Sequence, residues 1–78
     1  MSKIEDEVVI NAYLKYLEGE LLEDNSENID LYISTLWYDL MDDIELHKEI
    51  FGIEQEVDDY EAAKMIEDMI KEILINRI

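Results

Sequence analysis

Apolar positions recur along this chain at steps of three and four residues, the spacing that lines up one face of a helix. The first run places Ile10, Leu14, Leu17 and Leu21 on a stripe, with Val9, Tyr13 and Tyr16 widening it. Ser2 and Glu5 stand three apart just ahead of it, the spacing at which two side chains can each satisfy the other's free backbone amide at a helix start. The β-branched run Val8, Val9, Ile10 could open a strand, but no alternation of apolar and polar residues follows it, so helix is the expectation. Gly19 lies late in this run and is expected to end the helix early or bend it.

Residues 24–28, Asp-Asn-Ser-Glu-Asn, break the pattern, because short polar side chains bond to nearby backbone and favour turns and caps. A second helix is expected directly after them. Its core face reads Ile29, Ile33, Leu36, Leu40, Ile44, His47 and Phe51, with Trp37 beside it, as one continuous stripe. Gly52 follows one residue past that stripe, where a left-handed cap requires glycine. After the connector Ile53-Glu54-Gln55-Glu56-Val57, Asp58 and Glu61 repeat the capping spacing. The third helix is expected to bury Ala62, Ile66, Met69, Ile70 and Ile73, with Met65 and Leu74 flanking, and to end near Arg77, whose charge suits a helix C-terminus. The predicted fold is all-α: a single domain over residues 1–78, a small antiparallel bundle of three helices, or four if Gly19 divides the first. The predicted centre of the core is Leu36, Leu40, Ile44, Ile66, Ile70 and Ile73.

Charge changes this picture from fold to function. Asp and Glu number 22 against 6 Lys and Arg, a net charge of −16. That balance repels nucleic acid and anionic membrane and attracts basic surfaces, so direct nucleic-acid and membrane binding are excluded as functions. Acidity alone also suits disorder, but 49% of the residues are hydrophobic and they are periodic, which points to a folded domain. No cysteine is present, so disulfides and thiolate metal sites are excluded. With no apolar leader in Met1–Val9 and no long uncharged run, the expected setting is the cytoplasm, that of the host cell if a phage encodes the chain.

Candidate chemistry is sparse. His47 is the one histidine, and Ser34 and Thr35 lie more than three helical turns from it, too far for a nucleophile and base. Two glycines 33 positions apart cannot build a phosphate loop. Residues 24–35 space oxygens as a calcium loop does, but Ile29 and Thr35 occupy the glycine and closing-glutamate positions. Ile44 stands three before His47, where a di-metal helix motif needs glutamate. Asp43 and His47 are four apart, but two ligands are too few for a metal, and a histidine at the core edge facing that carboxylate is the simpler reading. No pair among the acids is singled out for general acid-base work. The expectation is no enzyme, no catalytic residue, no metal and no cofactor.

What remains is a surface. With Ile33, Leu36, Leu40 and Ile44 turned inward, helical geometry turns Asp39, Asp42, Glu45 and Glu49 outward, with Leu31, Tyr38 and Leu46 among them. Carboxylates three and four apart repel one another, and large apolar groups set among them are what a basic protein can grip. The candidate contact residues are therefore Tyr38, Asp39, Asp42, Glu45, Leu46 and Glu49, together with the connector acids Glu54, Glu56, Asp58 and Asp59, on a segment expected to adapt its shape. In composition and size the chain resembles the DNA-mimic inhibitors of phages and mobile elements, including anti-CRISPR and anti-restriction proteins. That resemblance implies a basic nucleic-acid-binding enzyme or effector as partner. An immunity protein or antitoxin covering a basic nuclease toxin would share these features. A non-enzymatic regulatory module that oligomerises through its apolar surface, as a homodimer for instance, is the third reading.

Overall fold

The computed structural model describes residues 4–77. They form four helices: α1 (Asp6–Glu20), α2 (Ser26–Asp42), α3 (Ile44–Ile50) and α4 (Asp59–Asn76). The all-α bundle expected from periodicity is present, and its main packing is α2 against α4. Lys71 meets Asp30 at 3.0 Å near one end of this pair and Trp37 meets Tyr60 at 5.4 Å near the other, so the two helices run antiparallel. Ala62 and Ala63 are fully buried where α4 enters the core, and their small side chains let the helices approach closely. Tyr13, Ile29, Ile66 and Leu74 are the largest side chains fully enclosed, each contributing about 1.5–3 kcal/mol by leaving water. No described helix is long and apolar enough to cross a membrane.

The fourth helix arises elsewhere than at Gly19. That glycine lies inside α1, and a Cβ added to it would meet nothing within 4 Å. The break falls at Asp43, whose φ of −141° and ψ of 64° leave the helical region, so the single stripe expected through Phe51 is carried by two helices. The nearby amides still find partners, since His47 N–H reaches the Asp43 carbonyl at 3.2 Å. His47 is not turned to the Asp43 carboxylate. Its Nδ1 contacts the same backbone carbonyl at 2.8 Å, and because a carbonyl only accepts, the proton sits on Nδ1.

The buried faces are also rotated from the expected stripes. In α1 the core residues are Val9, Tyr13 and Leu17, while Ile10 is half-buried and Leu14 and Leu21 are exposed. In α4 Leu74 is fully enclosed, whereas Met69 and Ile73 sit at the core's edge. Leu36 is likewise half-buried, but Leu40, Ile44, Ile66 and Ile70 lie in the core as expected.

The helix ends explain the remaining joints. Gly52 adopts φ 73°, with its N–H on Glu49 and the Ile53 N–H on the Lys48 carbonyl at 2.9 Å, the cap expected of that glycine. At the end of α1 the same bonding pattern is closed by Leu21 at φ 57°, a left-handed conformation unusual for a branched side chain. Asn25 caps α2 by accepting from Asn28 N–H at 2.9 Å, so that helix starts inside the expected turn. Asp58 caps α4 by accepting from Glu61 N–H at 2.8 Å. Glu5 precedes α1 without a capping side-chain bond, and its expected partner Ser2 lies outside the described residues. Ile4 N–H instead donates to the Ile50 carbonyl at 2.8 Å, tying the entry of α1 to the end of α3.

Candidate partner-binding surface

No charged side chain is buried among the described residues, so the acids are displayed on the helices rather than used inside them. Four ion pairs involve described side chains: Lys48 with Glu45, Lys64 with Glu67, Lys71 with Asp30 and Arg77 with Asp24. The remaining carboxylates have no cationic partner among the described residues. Their mutual repulsion is carried by the scaffold, which the core must offset.

The segment from Asp39 to Glu61 carries most of the candidate contact residues and is strongly acidic. It holds Asp39, Asp42, Asp43, Glu45, Glu49, Glu54, Glu56, Asp58, Asp59 and Glu61 against the single cation Lys48. The antiparallel pairing of α2 and α4 puts the end of α2 beside the start of α4, and α3 with its connector joins them. All ten candidate contact residues are exposed: Tyr38, Asp39, Asp42, Glu45, Leu46, Glu49, Glu54, Glu56, Asp58 and Asp59. They do not share one straight helix face. Asp39 and Asp42 belong to α2 and Glu45 and Glu49 to α3, so the break at Asp43 divides the expected row into two differently aimed pairs. The connector is also less free than expected. Ile53 is buried and Val57 packs against the core, which fixes the chain on both sides of Glu54 and Glu56.

Sequence reasoning passed over Tyr60. It is 61% exposed, its ring stands at 68° to Trp37 in an edge-to-face contact, and it sits in the first turn of α4 with Asp59 and Glu61. The signal was present as an aromatic residue inside a run of acids, Asp58 to Glu61. Without the packing of α2 on α4 nothing linked it to Trp37.

At the other end of the molecule one cluster, Tyr13 with Asp24 and Arg77, is closed internally, although the buried Arg77 Nε has no hydrogen-bond partner among the described residues. Arg77 presents its two terminal nitrogens to the two Asp24 carboxylate oxygens, each at 2.8 Å, and its guanidinium carbon lies 5.1 Å from the centre of the Tyr13 ring. Tyr13 donates its hydroxyl to Asp24 at 3.0 Å. The Arg77 guanidinium holds the Asp24 carboxyl below its ordinary value, with the Tyr13 hydroxyl adding to the effect against the cost of burial. Burial, and then the bond to Asp24, push the Tyr13 hydroxyl up to about 12. Glu67, half-buried on α4, is raised by lost hydration, with Lys64 opposing and Asp68 reinforcing.

Two open grooves flank α1. One, against α4, is lined by Ile4, Ile10, Met69 and Ile73 with Asp6, Glu72 and Arg77 at its rim. The other, against α2 and α3, is lined by Val8, Ala12, Leu36 and Ile50 with Asp39 and His47. Among the described residues no three histidine or carboxylate side chains are placed to hold a metal ion. No protein family, curated protein or solved structure matches the chain.

Proposed function

We propose that this protein is a protein-binding inhibitor that sets the carboxylates of residues 39–61 against the basic nucleic-acid-binding surface of a partner, in the place of DNA. The type is that of anti-CRISPR and anti-restriction proteins encoded by phages and mobile elements, acting in the cytoplasm of the infected cell. One observation carries the reading: a dense run of exposed carboxylates, nearly all without a cationic partner among the described residues, is held on backbone that is fixed by helices, caps and buried anchors. Neighbours on one helix stand about 5–6 Å apart, close to the roughly 7 Å between successive phosphates of a DNA strand. A pre-shaped array of this kind loses little conformational entropy on binding, and its field speeds encounter with a basic cleft. The exposed Tyr38 and Leu46 supply apolar contact that slows dissociation.

The test is competition. DNA binding by purified CRISPR effectors and restriction enzymes is measured with increasing amounts of the protein, and inhibition of at least one should be reversed by excess DNA. The quadruple variant Asp39→Asn, Asp42→Asn, Glu45→Gln, Glu49→Gln should stay folded and inhibit far more weakly near physiological salt. A partner that holds this protein and DNA together, each with undiminished affinity, would contradict the proposal.

A further inference from the structure

We propose that the Trp37–Tyr60 edge is an arginine-binding point, where a guanidinium of the partner stacks on the exposed aromatic surface while neighbouring carboxylates accept its N–H groups. The inference rests on the partner being basic and adds which cation it presents. Tyr60 is 61% and Tyr38 81% exposed, while the chain's other described aromatic side chains are buried or half-buried. Asp42 lies one helical turn from Tyr38 on the same face of α2, and Asp59 and Glu61 flank Tyr60 in the first turn of α4. Aromatic surface and carboxylates therefore gather at the same end of the bundle, and among the described residues no cation is stacked on either ring of the Trp37–Tyr60 pair.

The protein's own use of those components indicates which cation fits. At Tyr13 and Asp24 the same pair of groups, an aromatic ring and a carboxylate, is completed by Arg77, whose planar fork meets both carboxylate oxygens while its face lies over the ring. That is the one cation over a ring among the described residues. Lysine, a hydrated point charge without a flat face, cannot make both contacts at once. Lys64, one turn beyond Tyr60, is 4.0 Å from Glu67 and is not stacked on either ring. A second copy of this chain is a poor occupant, because each carries a net charge of −16.

Trp37 is the only tryptophan, so its fluorescence reports on this edge alone. The intact protein is titrated near physiological salt with oligoarginine and oligolysine peptides of equal length. Oligoarginine should bind more tightly and shift or quench Trp37 emission, while oligolysine should bind with little change in emission. Tyr60→Leu should lower oligoarginine affinity by about two- to five-fold, leave oligolysine affinity unchanged, and give way to recovery in Tyr60→Phe. Equal affinities and equal emission changes for the two peptides in the wild-type protein would overturn the proposal whatever the variants do, and so would a folded Tyr60→Leu protein with the full arginine preference. Either result leaves the competition with DNA untouched. Failure of both peptides to bind at that salt would remove the basic partner as well.

Discussion

The two ends of the α2–α4 pair display similar chemical groups in opposite states. Where α1 ends beside the end of α4, a tyrosine and an aspartate are closed by Arg77 and the tyrosine is fully enclosed. Where α2 ends beside the start of α4, aromatic rings and carboxylates stand open, and Lys48, the segment's one cation, is drawn to Glu45. The first end is built for stability, since charge-assisted hydrogen bonds in a partly dry setting hold the helices in place. The second trades some stability for a field that reaches beyond the surface. The chain spends its few cations at particular places, and the place it leaves open is informative about use.

The largest effects should come from the core beneath each end. Leu74→Ala, three residues before Arg77, and Leu40→Ala, beneath the acidic end, should each cost about 2–5 kcal/mol in chemical denaturation, because 0% and 3% exposure leave little room for the cavity to collapse. Equal losses at the two ends would show that they share one cooperative core. A loss of helical signal at one end only would divide them.

Breaking the Tyr13–Asp24–Arg77 cluster should cost less. Asp24→Asn is expected to lose about 1–2 kcal/mol, below the usual range for a buried charged bond because the Asp24 side chain is 34% exposed. Its pH dependence has a defined sign. The folded Asp24 carboxyl is held below its ordinary value, so its contribution is present above the ordinary carboxylate range and is lost as pH falls through the lowered value. The Tyr13 hydroxyl is raised to about 12, so its contribution is complete below the ordinary value near 10 and is lost as pH rises toward 12. Denaturation curves across pH should show the wild-type advantage over Asp24→Asn shrinking on the acid side. Ultraviolet titration should show Tyr13 ionising late, with Tyr32, whose hydroxyl is also pushed up by burial, delayed as well.

At the open end the expected changes are smaller and opposite in sign. Raising salt from a low concentration should raise the melting temperature, since screening weakens repulsion between carboxylates that lack partners. The quadruple variant at Asp39, Asp42, Glu45 and Glu49 should gain about 0.5–1 kcal/mol at low salt and show a flatter salt response. A melting temperature that falls with salt would mean that the acids are engaged attractively, and the contrast between the ends would disappear. Smallest of all, Leu21→Gly should stabilise by about 0.5 kcal/mol, because relief of the left-handed strain slightly outweighs the greater freedom of glycine in the unfolded chain.

The sequence made the helices legible because each carries its own repeat, and it made Gly52 and Asp58 legible because capping is a local chemical need. The break at Asp43 was not. Leu40 and Ile44 are both buried at a four-residue step, so periodicity passes across the joint without a mark. The rotation of α1 was hidden for a related reason: Tyr13 reads as a flanking residue until Asp24 and Arg77, distant in sequence, satisfy its hydroxyl. The candidate surface shows the same division. Exposure of Tyr38, Leu46 and the acids followed from helical geometry, whereas the pairing of Trp37 with Tyr60 depended on how two helices meet.

The bond between Asp24 and Arg77 joins residues 53 positions apart, in a fold whose other joints are mostly between near neighbours. Helical turns and their capping bonds form early in folding because they close short loops, whereas a link of this span must wait until both ends of the bundle are in place. Its energy should then be absent from the transition state. Asp24→Asn would leave the folding rate nearly unchanged and put its whole effect into faster unfolding, readable as a shift of the unfolding arm alone in denaturant-jump kinetics. The arginine that completes the quiet end thus sets how long the molecule stays folded, and with it how long the open end keeps its shape.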